Sequence, residues 1–175
     1  DQLPWFIQRG YKVLIDKDEE ERKLPKPKGH FTPQEAPTPV LFHKTIEQFW
    51  FDAFQAAKYL WRGELWRVKH FDWSLKQHLL QMMVWHAVVC REITDFTIYQ
   101  GKHLQEWTDP ETFIRLMSVF GRFYPADSWR ALDETIKRFT HLSGEVAAEL
   151  EISDLHSLED RFTSLFDELK SKTPE

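Results

Sequence analysis

A chain of 175 residues can bury one substantial core, and its eight tryptophans and fourteen phenylalanines favour packed interfaces or an aromatic-lined pocket over disorder. A net charge of −5 argues against nucleic acid as a partner and suits a cationic small molecule. The single cysteine, Cys90, excludes an intrachain disulfide and fits a reducing cytoplasm. The most apolar run, Leu79 to Cys90, is broken by Gln81 and His86. It falls short of the roughly 20 residues that span a bilayer, so a soluble protein without a membrane partner is expected. The chain opens at Asp1 rather than Met, without a signal-peptide pattern, and reads as a fragment.

In chain order, Tyr11 to Ile15 is a strand candidate that stops at the polar Asp16-Lys17-Asp18. A lone strand needs ladder partners, so this one must pair outside the chain or lie as an extended arm. Residues 19–43 read as a linker. A charged run precedes Pro25, Pro27, Pro33, Pro37 and Pro39, a density that disfavours both helix and ladder. From Thr45, a capping box with Gln48 opens an amphipathic helix to Glu64. Ile46, Phe49, Trp50, Ala53, Ala57, Leu60 and Trp61 form its core stripe. Gln48, Asp52, Gln55, Lys58 and Arg62 share the opposite face with Phe51 and Tyr59.

A second helix is expected from about Glu64 to Arg91, bent near Asp72 and buried on several faces in its later half. Residues 93–102 read as a long connection, extended in part. Asp109-Pro110-Glu111 is a strong helix start, with Phe113, Leu116, Met117 and Phe120 as the buried stripe. Asp127-Ser128 caps a fourth helix whose stripe is Trp129, Leu132, Ile136, Phe139, Val146, Ala147 and Leu150. A last helix starts near Ser153-Asp154. The expected fold class is all-α: a bundle of about five helices preceded by an extended N-terminal strand and a proline-rich linker.

The sequence has no glycine-rich phosphate loop, no Cys-x-x-Cys and no His-Glu-x-x-His. His70, His78 and His86 recur every eight residues, each turned about 80° from the last, so they do not converge on a metal. Lys58 and Arg62, one turn apart, are either part of a solvated face or two cations presented to a phosphate or carboxylate. Gly101-Lys102 pairs a backbone able to approach a ligand with a reaching amine; the alternative is an ordinary turn. Trp85 is either core or a stacking platform. Asp52, Glu64, Glu92 and Asp95 are carboxylates able to meet ligand ammonium groups or to stand as surface charge.

With those residues laid out, the chain resembles the C-terminal part of the aminoglycoside 6-adenylyltransferases, the streptomycin-modifying nucleotidyltransferases. The segments that carry the resemblance are Lys12 to Asp18, Phe49-Trp50, Ala57 to Leu65, Leu79 to His86, Phe96 to Lys102 and Ser143 to Leu150. The resemblance implies a two-domain enzyme that transfers AMP from Mg-ATP to an aminoglycoside hydroxyl. Its N-terminal α/β domain carries a Gly-Ser motif and metal-holding aspartates, neither of which is present here. Residues 1–18 would then end that missing domain, 19–43 link it, and 44–175 form the helical substrate-binding domain. ATP and Mg would act through the missing domain.

By position, the resemblance assigns Lys58, Arg62 and Lys102 to the ATP phosphates, with Glu64 orienting Arg62 and Trp85 shaping the drug side. Where the family has Glu-Phe-Trp this chain has Gln48-Phe49-Trp50, leaving Glu47 as the neighbouring carboxylate, with Asp52 beside it on the drug side. His103 and Gln105 stand where the family has asparagine and a further lysine. The competing expectation is a non-catalytic helical module, derived from that family, that binds a partner protein. An exposed aromatic face without a concave pocket would favour the module; a cleft lined by Lys58, Arg62 and Lys102 would favour the enzyme.

Overall fold

The computed structural model describes residues 11–17, 20–24, 26, 34–94, 99–152, 162, 164–166 and 168–170. Its long helices are α1 (Pro39–Trp61), α2 (Leu65–Val89) and α5 (Pro125–Glu149), with the shorter α3 (Leu104–Trp107) and α4 (Pro110–Val119) between α2 and α5. The architecture is helical, as the periodicity implies. Among the described residues no helix is long and apolar enough to cross a membrane.

α1 begins earlier than its pattern suggests. Thr38 is the N-cap, its hydroxyl accepting from the Leu41 amide at 3.3 Å, and Pro39 takes the first helical position. The last proline of the expected linker therefore starts a helix, because its missing N–H would have been unpaired there anyway. Thr45 caps nothing; it is buried and its hydroxyl donates to the Leu41 carbonyl at 3.0 Å. The expected core stripe of α1 is buried except Trp61, and Tyr59, expected on the polar face, is buried as well.

The N-terminal strand is a correction. Residues 11–17 form no strand, and Leu14 and Ile15 stand exposed. A strand sequence without a second strand cannot complete its ladder. Glu20–Lys23 form one 3-10 turn. Further on, Gln34 donates to the Thr94 carbonyl at 3.0 Å, so this segment runs beside the end of α2. Residues 95–98 of the expected connection and the expected helix start at Ser153-Asp154 lie outside the described residues.

α2 runs without interruption past Asp72. A turn with Gly63 at φ +72° reverses the chain between α1 and α2, and the two pack antiparallel. Their contacts run in opposite directions along the chain: Phe42 meets Trp85, Phe49 meets His78, and Tyr59 stacks on Phe71. α5 returns parallel to α2, since Lys76 meets Thr135 and His86 meets Glu145. Phe49 on α1 stacks on Phe139 of α5 at 3.6 Å, at the centre of this three-helix core. Trp50 stacks on Phe162, which closes the core from the C-terminal side.

α4 starts as expected: Asp109 accepts from the Thr112 amide at 2.8 Å and Pro110 follows. Its buried face is not the expected one. Phe113, Met117 and Phe120 are exposed, whereas Thr112 and Val119 are buried and Leu116 half-buried. The helix is short and packs mainly on α5, so the face it buries is chosen by its placement and not by its most apolar row. In α5, Trp129, Leu132, Phe139, Val146 and Ala147 are buried as expected, with Ile136 and Leu150 half-buried. Tyr124 is its N-cap in place of Asp127, and Asp127 accepts instead from the Arg122 amide and Arg130, both at 2.7 Å.

Cys90 caps the C-terminus of α2 and is half-buried. Burial, followed by the nearby Glu145 and Glu149 carboxylates, pushes its thiol up to about 11. At pH 8 the thiolate should be about a hundredfold scarcer than in the unfolded chain. Iodoacetamide should therefore label native protein far more slowly than urea-unfolded protein, and equal rates would show an accessible, unperturbed thiol.

Candidate functional site

The antiparallel register of α1 and α2 creates the most functional-looking cleft. Asp52 of α1 meets Ser74 and His78 of α2, one turn apart on the facing helix. Its Oδ2 accepts from the Ser74 hydroxyl and lies 3.1 Å from His78 Nε2. Glu47, Gln48 and Phe51 complete an open cleft of about 580 Å³. Asp52 Oδ1 has no partner among the described residues, so its lone pairs remain for a ligand N–H. The arrangement is not a nucleophilic triad, because the carboxylate sits between serine and histidine and the serine does not meet the imidazole. A rigid acidic cleft of this kind can hold ammonium or guanidinium groups.

A second cluster lies at the turn between the same helices. Lys58 Nζ, Arg62 Cζ and Arg67 Cζ lie 4.7, 5.9 and 4.5 Å from the centre of the Tyr59 ring. The ring's electron-rich face draws cations, and Phe71 holds the ring in place. Lys58 also donates to Gln55. Glu64 pairs with Arg67 at 3.6 Å, and this ion pair replaces the expected orientation of Arg62. One carboxylate among three cations leaves local positive charge in a chain that is negative overall.

The remaining expected residues do not join either cluster. Trp85 is 4% exposed and packs on Phe42, in the core. Lys102 is exposed in the turn before α3 and follows Gly101, whose Cα faces Leu80 of α2. Leu80 is nine residues beyond Phe71, or about 13.5 Å of helix rise, so Lys102 belongs to a different level of the bundle from the Tyr59 cluster. The structure thus brings together Glu47 with Asp52, and Lys58 with Arg62.

Ser74 and Arg67 were not singled out from the sequence, and His78 was weighed only as a metal ligand. Asp52 and His78 are 26 residues apart, and only helix packing joins them. The available signal was the polar pair at 74 and 78, one turn apart on the same face of the helix. Arg67 was signalled by its spacing of three from Glu64. As for the metal, no group of three or more histidine, cysteine or carboxylate side chains gathers among the described residues.

Comparison with known proteins bears on the family and the fold. An aminoglycoside 6-adenylyltransferase of Campylobacter jejuni is 26% identical over 142 residues, 80% of this chain and 49% of that protein. The crystal structure of an aminoglycoside 6-adenyltransferase from Bacillus subtilis shares the fold, with a TM-score of 0.68 at 17% identity over 90% of this chain and 57% of that one. The chain spans about half the length of these relatives. The family model described as streptomycin adenylyltransferase matches residues 3–168, nearly the whole sequence, and the chain belongs to that family.

Proposed function

We propose that this chain is the substrate-binding helical half of an aminoglycoside adenylyltransferase-like nucleotidyltransferase, which transfers AMP from ATP to an aminoglycoside hydroxyl when joined to a catalytic N-terminal domain. Residues 1–18 end that domain, the segment from 19 to the start of α1 at Pro39 links it, and the helices from α1 onward bind substrate in the cytoplasm. Mg²⁺ and the transfer chemistry belong to the other half.

The acidic cleft carries this reading. Aminoglycosides are polycations, and Glu47 and Asp52 line a concave surface in which Ser74 and His78 hold one carboxylate oxygen in place. Preorganisation of this kind lowers the entropy lost when a flexible sugar binds. Lys58 and Arg62, now joined by Arg67, offer positive charge to ATP phosphates from the far end of α1. Glu64 serves by pairing with Arg67. Trp85 supports the drug side through the core under α1, and Lys102 serves a phosphate from the separate turn. The non-catalytic module is not favoured, since the exposed aromatics are accompanied by concave clefts.

Calorimetric titration of the chain with streptomycin tests the cleft. Asp52→Asn keeps the size of the side chain and removes its charge. Loss of a charge-assisted contact should weaken binding by about 1.5–3 kcal/mol, or roughly tenfold to a hundredfold. Unchanged affinity in a variant that still unfolds cooperatively would remove Asp52 from the drug site.

A further inference from the structure

The first half of α2 and the turn between α4 and α5 share one outward face rich in aromatic rings. Trp66 and Trp73 lie seven residues apart, two turns along α2, so they project from the same side of that helix. They are 83% and 63% exposed, and Phe120, Phe123 and Tyr124 are each more than half exposed. The five rings are neighbours. Trp66, Trp73 and Phe123 line one open groove of about 580 Å³, Trp73 and Phe120 line the next, and Phe120 and Tyr124 line a third.

Polar ties beneath the face hold these rings outward. Lys69 of α2 donates to the Gly121 carbonyl at 2.9 Å, which fastens the turn to α2. Arg130 donates to the Ser118 and Phe120 carbonyls at 2.6 and 3.2 Å, and the Arg122 amide donates to Asp127 at 2.7 Å. Gly121 has no room for a side chain, since a Cβ there would stand 2.8 Å from that of Ala131 on α5. The turn is thus fixed against α5, with Phe120, Phe123 and Tyr124 on the outside. An aromatic surface ordered before contact loses little entropy on binding. The charges around it are already committed: Lys69 to the Gly121 carbonyl, Asp127 to Arg130, and Arg122 in the field of Asp127. None of them is left alone when the face is covered.

We propose that this face is a self-association surface, on which a second copy of the chain packs about a two-fold axis. At about 200 Å² per aromatic side chain, the exposed fractions of the five rings amount to roughly 650 Å². That exceeds the roughly 300–600 Å² of the largest apolar patch on an ordinary monomer. Two facing copies would withdraw about 1,300 Å² through these side chains alone, inside the roughly 1,200–2,000 Å² of stable interfaces. A two-fold pair sets the same patch against itself. Rings suit that arrangement because they stack on their own kind, whereas a patch of one sign of charge would repel its copy. Trp66 and Trp73 are the anchors. The linker reaches the bundle at the opposite end of α2, where Gln34 meets Thr94, so a domain joined through it is tethered away from Trp66. The inference does not rest on the adenylyl-transfer reading.

Sedimentation velocity of the chain tests this. The weight-average mass should rise from one copy to two between about 1 and 100 μM and level off there. Trp66→Asp should weaken the pairing at least about tenfold, and Phe123→Ser should weaken it as well. A carboxylate suits the first turn of a helix, so Trp66→Asp should retain thermal unfolding, measured at a concentration where both proteins are monomers. Val40→Asp makes the same charge change at an exposed residue of α1, beside the far end of α2, and should leave the pairing intact. A chain that stays monomeric across this range, or a mass that climbs past two copies, overturns the inference. So does pairing that Trp66→Asp and Phe123→Ser leave unchanged, or that Val40→Asp weakens as much as Trp66→Asp does.

Discussion

Phe49→Ala should destabilise the protein by about 3–5 kcal/mol, the range for emptying a well-packed phenylalanine site. Phe49 is fully buried, stacks on Phe139 of α5 at 3.6 Å and meets the rings of Trp50 and His78. It is the point at which all three long helices touch, so the walls of the resulting cavity belong to three elements that cannot all collapse inward. Two residues along the same helix, Phe51 is 57% exposed, and Phe51→Ala should change stability by no more than about 0.5 kcal/mol. Urea unfolding measures both, with a fall in midpoint at constant slope as the signature of lost stability. A Phe49→Ala loss below about 1 kcal/mol would mean that the three-helix contact is not the centre of the core.

The second large effect is expected at Lys76. Its amine is buried between α2 and α5, bonded to Asp72 and to Thr135, and lies 5.6 Å from the Phe120 ring centre. Lys76→Met keeps most of the side-chain volume but strands the Asp72 carboxylate, which is 17% exposed. Breaking a fully buried pair costs about 3–5 kcal/mol. Asp72 retains a path to water, so about 2–3 kcal/mol is expected. Adding Asp72→Leu should recover at least half of that, because the stranded charge goes with it. If the double variant is no more stable than Lys76→Met, the stranded Asp72 charge is not the source of the loss.

The same lysine has a pH signature. Burial lowers its pKa from 10.5, with Asp72 opposing that shift by attraction and hydrogen bonding. Between the lowered value and 10.5 the unfolded chain holds more protons at this site than the folded one. Stability contributed by this group therefore rises with pH across that window. The difference in stability between wild type and Lys76→Met should follow the same rise, which separates it from other alkaline titrations.

How these features relate to the sequence depends on the range over which each is decided. Helix starts at Asp109-Pro110 and the buried stripe of α5 were legible because capping and periodicity involve neighbours within a turn or two. The family was legible too, since its short segments keep their order along most of the chain. The start of α1 was missed because Pro39 suits a first helical position as well as a linker, and local chemistry alone does not choose.

Which apolar row a short helix buries was not legible. In α4 the contact with α5 buries Thr112 and Val119 and leaves Phe113 and Met117 outside, a choice made by the neighbour's position. Trp85 went to the core for a similar reason: Phe42, 43 residues earlier, faces it across the α1–α2 interface. The strand expected at residues 11–15 failed for want of a partner, which no local propensity provides.

The sequence by itself determined the helical class, the family and the carboxylates and cations from which sites could be built. Only the tertiary structure decided how they are grouped. The antiparallel register of α1 and α2 sets Asp52 against Ser74 and His78 and gathers Arg67 with Lys58 and Arg62 around Tyr59. It also leaves Lys102 at another level of the bundle, exposed in the turn before α3. The physical reason is that helix formation is settled within a few residues, whereas side chains 26 positions apart meet only after two helices have chosen the faces they bury against each other.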